Sequence, residues 1–232
     1  MFHTYCKQIA DYDKMLPFKL AGVVFTGKIR VTGLAKGDNL EHIVKSFCAS
    51  KKIYDIADIK MPIAIPAVDL KTGEIVYYLN RKMDENGTSR RPYDDTPSYQ
   101  YSGNIGAIVR ASSSFPGVFE PKRLDSRLLI DGGVRVNSPV SVLKRMGADK
   151  VLTVSFDQNK CKKQNLNIVS VAMKSFEIMG HQVNMEELEN ADIVLRPPID
   201  EVSLLECGKT NYLATQGYKC TKANIDKIRS VL

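Results

Sequence analysis

Between residues 127 and 156 the chain runs through a short apolar stretch, two glycines, a proline-started helical stretch and a second apolar stretch. Leu128-Leu129-Ile130 is too short for a helix and reads as a strand. Ser138 and Pro139 open a helix, the serine as cap and the proline at the first position, where its missing N–H is not needed. Gly147 closes that helix, and residues 151–156 read as a second, buried strand. Strand, helix and strand in so short a span point to an α/β fold with at least one parallel crossover.

The rest of the chain is compatible with that class. Residues 1–16 carry apolar positions at helical spacing, and residues 22–32 read as a strand pair or an irregular loop. Asp38 is the expected N-cap of a helix through Ile43, Val44 and Phe47. Residues 61–68 and 74–79 form a hairpin around Lys71-Thr72-Gly73, and Pro62 and Pro66 place it at a sheet edge. Residues 81–102 are polar and read as a long surface loop. Helices are expected over 105–113, 166–189 and 210–228, with a short strand at 193–195 closed by Pro197 and Pro198. No repeat, low-complexity tract or linker interrupts the chain, so residues 1–232 read as a single domain.

Composition narrows the function classes. Hydrophobic residues make up 44% and charged residues 25% of 232, which suits a globular core rather than disorder. No apolar run reaches the roughly 20 residues a membrane span needs. The five cysteines Cys6, Cys48, Cys161, Cys207 and Cys220 have no C-x-x-C spacing. Neither a disulfide framework nor a zinc site is suggested, and a cytoplasmic setting fits. His3, His42 and His181 are too scattered for a metal site or a triad. No metal and no cofactor is expected. The net charge of +7 reads first as a solvated basic surface, and second as weak attraction to anionic lipid headgroups. Lys160, Lys162 and Lys163, and Arg90 and Arg91, lack the interleaved aromatics of a nucleic-acid groove.

Asp131-Gly132-Gly133 is the stretch that carries chemistry. Taken alone it is a turn signal, the aspartate accepting backbone N–H bonds. Behind an apolar strand it is also a way to fix a carboxylate at the rim of a sheet. The glycines there permit positive φ and close approach of another backbone. A carboxylate so placed can take a proton from a serine within hydrogen-bond reach. Ser112, Ser113 and Ser114 are local hydroxyls whose expected task is to cap a helix end before Pro116. Asp69 is expected to be a turn residue, and Asp149 to bond the backbone ahead of the strand at 151.

Several ordered segments are similar to those of the patatin-like phospholipases. They are Gly33-Leu34-Ala35-Lys36-Gly37-Asp38 before a helix and Met61-Pro62-Ile63-Ala64 through Val68-Asp69-Leu70-Lys71-Thr72-Gly73. Arg110-Ala111-Ser112-Ser113-Ser114-Phe115-Pro116-Gly117-Val118-Phe119, Asp131-Gly132-Gly133 and Gly147-Ala148-Asp149 follow. The resemblance implies a layered α/β/α domain and hydrolysis of carboxylic esters of lipids by a Ser–Asp dyad. Asp131 would be its proton acceptor, in a motif completed by Gly132 and Gly133. It further implies a lipid or acyl-ester substrate; composition and charge add the expectations of no nucleic acid partner and of a cytoplasmic protein in peripheral contact with anionic membrane. The family's glycine-rich oxyanion loop and its G-x-S-x-G nucleophile segment have no counterpart in this sequence. The resemblance therefore implies an N-terminally incomplete domain, inactive alone, with both segments expected upstream of Met1. The alternative is a non-catalytic lipid- or protein-binding module on the same scaffold.

Overall fold

The computed structural model describes residues 36–83, 97–156, 168–199 and 209–231. The stretches at 1–16 and 22–32, most of the polar segment at 81–102, the clusters at Arg90–Arg91 and Lys160–Lys163, and His3, Cys6, Cys161 and Cys207 lie outside the described residues.

Five strands form the main sheet: β1 (Ala64–Asp69), β2 (Ile75–Leu79), β3 (Ser98–Gln100), β4 (Lys122–Leu124) and β5 (Arg127–Asp131), in the spatial order β3-β2-β1-β5-β4. β1 pairs antiparallel with β2 and with β5, β5 antiparallel with β4, and β2 parallel with β3. Every residue of β2 is buried, because the sheet is covered on both faces. Val76 and Tyr78 join Ala67 and Leu129 in one core with Ile105, Ile108 and Ala111 of helix α2 (Ile105–Ser112). Ile75, Tyr77 and Leu79 point the other way and pack with Val136 and with Val142 of helix α3 (Val140–Arg145). The period-two alternation of one strand thus feeds two cores, and the result is the layered α/β/α arrangement. Helix α1 (Asp38–Ala49) lies against α2.

The hairpin at 64–79 is present, but β1 is central rather than at an edge. Asp69 donates its amide to Glu74 O at 2.9 Å and Leu70 donates to Leu128 O at 2.8 Å. Odd residues of β1 therefore bond towards β2 and even ones towards β5. Pro66 faces β5 one step beyond the last pair, Ala67 with Asp131, so its missing N–H costs the ladder nothing. The expected long loop at 81–102 contains β3, whose Tyr99 stacks on Tyr77 with ring centroids 6.1 Å apart.

The crossover also sits elsewhere than its sequence order suggests. Both edges of β5 are occupied, so the strand that follows cannot join it. Instead β6 (Leu152–Val154) pairs parallel with β7 (Ile193–Leu195) in a second sheet, and helix α4 (Ile168–Glu189) makes the connection. β6 is shorter than the buried strand expected over 151–156. Leu152, Val154 and Phe156 are 42%, 45% and 64% exposed, and only Val151 and Ser155 are buried. On β7, Ile193 and Leu195 pack with Cys220 and Ile228. These two come from helices α5 (Thr210–Ala223) and α6 (Ile225–Val231), which a break at Asn224 separates where one continuous helix was expected.

Caps depart from expectation in an instructive way. Gly37, not Asp38, caps α1, with φ at 72°. Pro139 rather than Ser138 occupies the cap of α3. The first-turn amide of Ser141 is satisfied by the buried Glu187 of α4 at 2.7 Å. Asp149 is exposed, and the Val151 amide is taken by Asp192 at 2.9 Å instead. That bond and the ammonium of Lys150 hold the Asp192 carboxyl down at about 2.

Candidate active site

Asp131 is the last residue of β5 and is half-buried. Its Oδ1 accepts the amide of Gly133 at 2.7 Å, closing a 3₁₀ turn over Gly132–Val134. Oδ2 has no hydrogen-bond partner among the described residues. The aspartate therefore makes the turn that the tripeptide alone suggests, and uses one oxygen to do so. Burial pushes the Asp131 carboxyl above its ordinary value of 3.8, and the Gly133 amide offsets this only in part.

The glycines serve through size rather than through positive φ, which neither of them adopts. A Cβ on Gly132 would lie 2.5 Å from Pro66 O and 2.8 Å from Pro66 C. The chain leaves β5 by passing directly over the backbone of β1, and only glycine fits there.

The backbone of Asp131 is held by an unusual partner. Its amide donates to Ser114 O at 3.1 Å. Ser114 is fully buried, and its hydroxyl donates to Arg110 O at 2.9 Å while accepting from the Arg110 guanidinium. Arg110 is 1% exposed. It also donates to Lys36 O through Nε at 2.9 Å and to Glu120 O at 2.8 Å, and it stacks on Phe119 at 5.2 Å. Of the three hydroxyls expected at the helix end, that of Ser114 bonds the helix carbonyl of Arg110, and Ser114 is sealed from any substrate. The sequence shows Arg110 within the patatin-like segment but not its tie to Asp131. The available signal was a charged residue amid Ile108, Val109 and Ala111 with a serine four positions on, a pair that shares one helix face.

Asp69 is buried and accepts the Lys71 amide at 3.0 Å, so it is a turn residue. His42 and His181 stand exposed on α1 and α4. Among the described residues no group of three His, Cys, Asp or Glu side chains could hold a metal ion.

Residues 12–144, more than half of the chain, match the family model described as patatin-like phospholipase. The chain belongs to the patatin-like phospholipase family. Asp131, Gly132, Arg110 and Ser114 all fall within the matched region. Among curated proteins it is similar to "Lysophospholipase nte1" of Aspergillus fumigatus, 28% identical over 160 residues, covering 58% of this chain and 10% of that protein. It is also similar to the protein of the same name from Neurospora crassa, 26% identical over 157 residues, covering 56% of this chain and 10% of that one. A Mycobacterium bovis protein named as an uncharacterized NTE family protein is 38% identical over 55 residues, 24% of this chain and 15% of that protein. The chain matches about a tenth of the length of the two fungal lysophospholipases.

The raised carboxyl has a consequence for stability. Asp131→Asn keeps an oxygen for the Gly133 amide and removes a partly buried charge, so the variant should melt at the same or a higher temperature at pH 7. The sign follows from linkage. A carboxyl whose folded pKa is raised costs the fold nothing below its unfolded value and costs most above its folded one. The gain should therefore vanish below about pH 4. Thermal melts from pH 3 to pH 8 check this, and a variant less stable than the parent at pH 7 would contradict it.

Proposed function

We propose that this patatin-like chain supplies the aspartate of a Ser–Asp dyad that hydrolyses carboxylic esters of lipids. One observation carries the reading. A half-buried carboxylate ends a core strand, one oxygen is fixed by the Gly133 amide, and the other has no partner among the described residues. In the reaction a serine oxygen attacks the ester carbonyl and its proton passes to Asp131. The protonated Asp131 then gives that proton to the departing alcohol. Water then attacks the acyl-serine with Asp131 again the base, Asp131 returns that proton to the serine oxygen, and the acid is released. Burial favours this role, because a carboxylate with raised affinity for protons is a better base.

The serine comes from a G-x-S-x-G segment that this sequence does not contain. Oxyanion donors, usually a large part of acyl-transfer catalysis, come from a glycine-rich loop that it does not contain either. Residues 1–232 form one domain on this reading. The names of the fungal relatives favour a lysophospholipid as the ester. The excess of 33 Lys and Arg over 26 Asp and Glu suits a cytoplasmic protein touching anionic membrane peripherally. No helix among the described residues is long and apolar enough to cross a membrane.

The test compares this chain with a fusion that places the first strand and G-x-S-x-G segment of a patatin-like relative ahead of it. The fusion should hydrolyse a short-chain nitrophenyl ester and a lysophospholipid and take up a fluorophosphonate probe. The chain alone should do neither. Turnover by the chain alone that survives Asp131→Asn would overturn the dyad. A folded fusion that binds lipid vesicles without turnover would favour the non-catalytic module.

A further inference from the structure

We infer that Arg110 and Ser114 form a positioning device for Asp131, replacing the strand partner that Asp131 would otherwise have. The inference rests on the reading of Asp131 as the base of the dyad and concerns how that base is held.

The register of the sheet carries the argument. Leu128 O accepts from Leu70, just past the end of β1, so in β5 the even residues bond towards β1 and the odd ones towards β4. β4 pairs with β5 through Lys122 with Leu129, Arg123 with Leu128 and Leu124 with Arg127. One more step of this antiparallel ladder would set Glu120 opposite Asp131, and the Asp131 amide would donate to Glu120 O. Neither group does so. Glu120 O accepts from Arg110 Nη2 at 2.8 Å, and the Asp131 amide donates to Ser114 O at 3.1 Å.

The guanidinium thus captures the carbonyl that ladder geometry assigns to Asp131, and β4 peels away two residues early. Through the Ser114 hydroxyl it also fixes the residue whose carbonyl substitutes. The Ser114 hydroxyl both donates to Arg110 O at 2.9 Å and accepts from the guanidinium, and the residue has no exposed surface. Its carbonyl is therefore a rigid acceptor. A planar fork with several donors can hold Lys36 O, Glu120 O and Ser114 Oγ together, which an ammonium on a flexible stem cannot. The ladder ends at the residue whose side chain is proposed to react. There its amide is satisfied by a single carbonyl, that of Ser114 just beyond α2, instead of by a continued β4.

The experiment needs no turnover and uses the chain as it is. Ser114→Ala removes the hydroxyl link but keeps both the backbone carbonyl and the guanidinium charge. Two quantities are read by NMR: amide exchange at Asp131 relative to Leu129, which also bonds towards β4, and the titration midpoint of the Asp131 carboxyl. In Ser114→Ala, exchange at Asp131 should rise at least 10-fold relative to Leu129, and the midpoint should fall towards 3.8 as the carboxyl reaches water. Arg110→Lys should move both in the same direction and further. A merely structural role would speed both amides together and leave the midpoint in place. That result, no change in either variant, or a change in only one of the two quantities would overturn the inference. Loss of the hydrolase reading would show separately, as turnover by the fusion that Asp131→Asn does not affect.

Discussion

Arg110→Met should lose about 3 kcal/mol of stability, because the buried Ser114 hydroxyl and the carbonyls of half-buried Glu120 and of Lys36 would lose a donor at once. Lys36 O, Glu120 O and the Ser114 hydroxyl each accept from this guanidinium, and a buried acceptor left unmade costs about 1–3 kcal/mol. The side chain is also the surface on which the entry to α1 is built. A Cβ on Gly37 would fall 1.9 Å from Arg110 Nε, so the glycine and the arginine occupy one space between them. Methionine fills part of the volume and none of the hydrogen bonds. Against a total stability of about 5–15 kcal/mol for a typical domain, such a loss is a large fraction. Arg110→Lys should fall between the two, since its charge is kept and its fork is not. Urea denaturation of the three proteins checks this. A methionine variant within about 1 kcal/mol of the parent would show that the guanidinium network is dispensable.

Some of this was legible in the sequence and some was not, and the division follows the range of the interactions. The β1–β2 hairpin could be read because its turn is local: Gly73 takes φ of 76° and Asp69 bonds the Lys71 amide two residues on. Helix α2 could be read from its apolar spacing, and Asn104 caps it by accepting the Ala107 amide at 3.1 Å. The place of β1 in the sheet could not. Whether Pro66 breaks a ladder depends on the phase of the strand against β5, more than sixty residues on. Glu187 capping α3 and Asp192 taking the Val151 amide are equally remote pairings. In each case a local candidate, Ser138 or Asp149, matched the pattern but did not make the bond.

At the site the same division holds. Asp131 at the end of an apolar strand was readable, as was its turn with Gly133. The reason for Gly132 was not, because the demand comes from Pro66 across the sheet rather than from φ. The hold on Asp131 by Ser114 and Arg110 needs the β4–β5 register, which no run of residues displays.

The second large effect is on chemistry. Asp131→Asn leaves an oxygen for the Gly133 amide and so preserves the turn, but an amide has no comparable affinity for a proton. A serine without a base is a weak nucleophile, and loss of the general base costs about 10²–10⁴-fold in rate. The fusion carrying Asp131→Asn should remain folded, at least as stable as its parent at pH 7, and slower by about 10²–10⁴-fold in kcat. KM should change little, because the carboxylate acts on the proton in the transition state rather than on the bound lipid.

The most direct test of the central claim is therefore kcat for hydrolysis of a lysophospholipid by the fusion and by its Asp131→Asn variant, with thermal melts of both. A folded variant with turnover lost is the predicted result. A folded variant that hydrolyses at the parent rate would remove Asp131 from the chemistry and leave it only its turn.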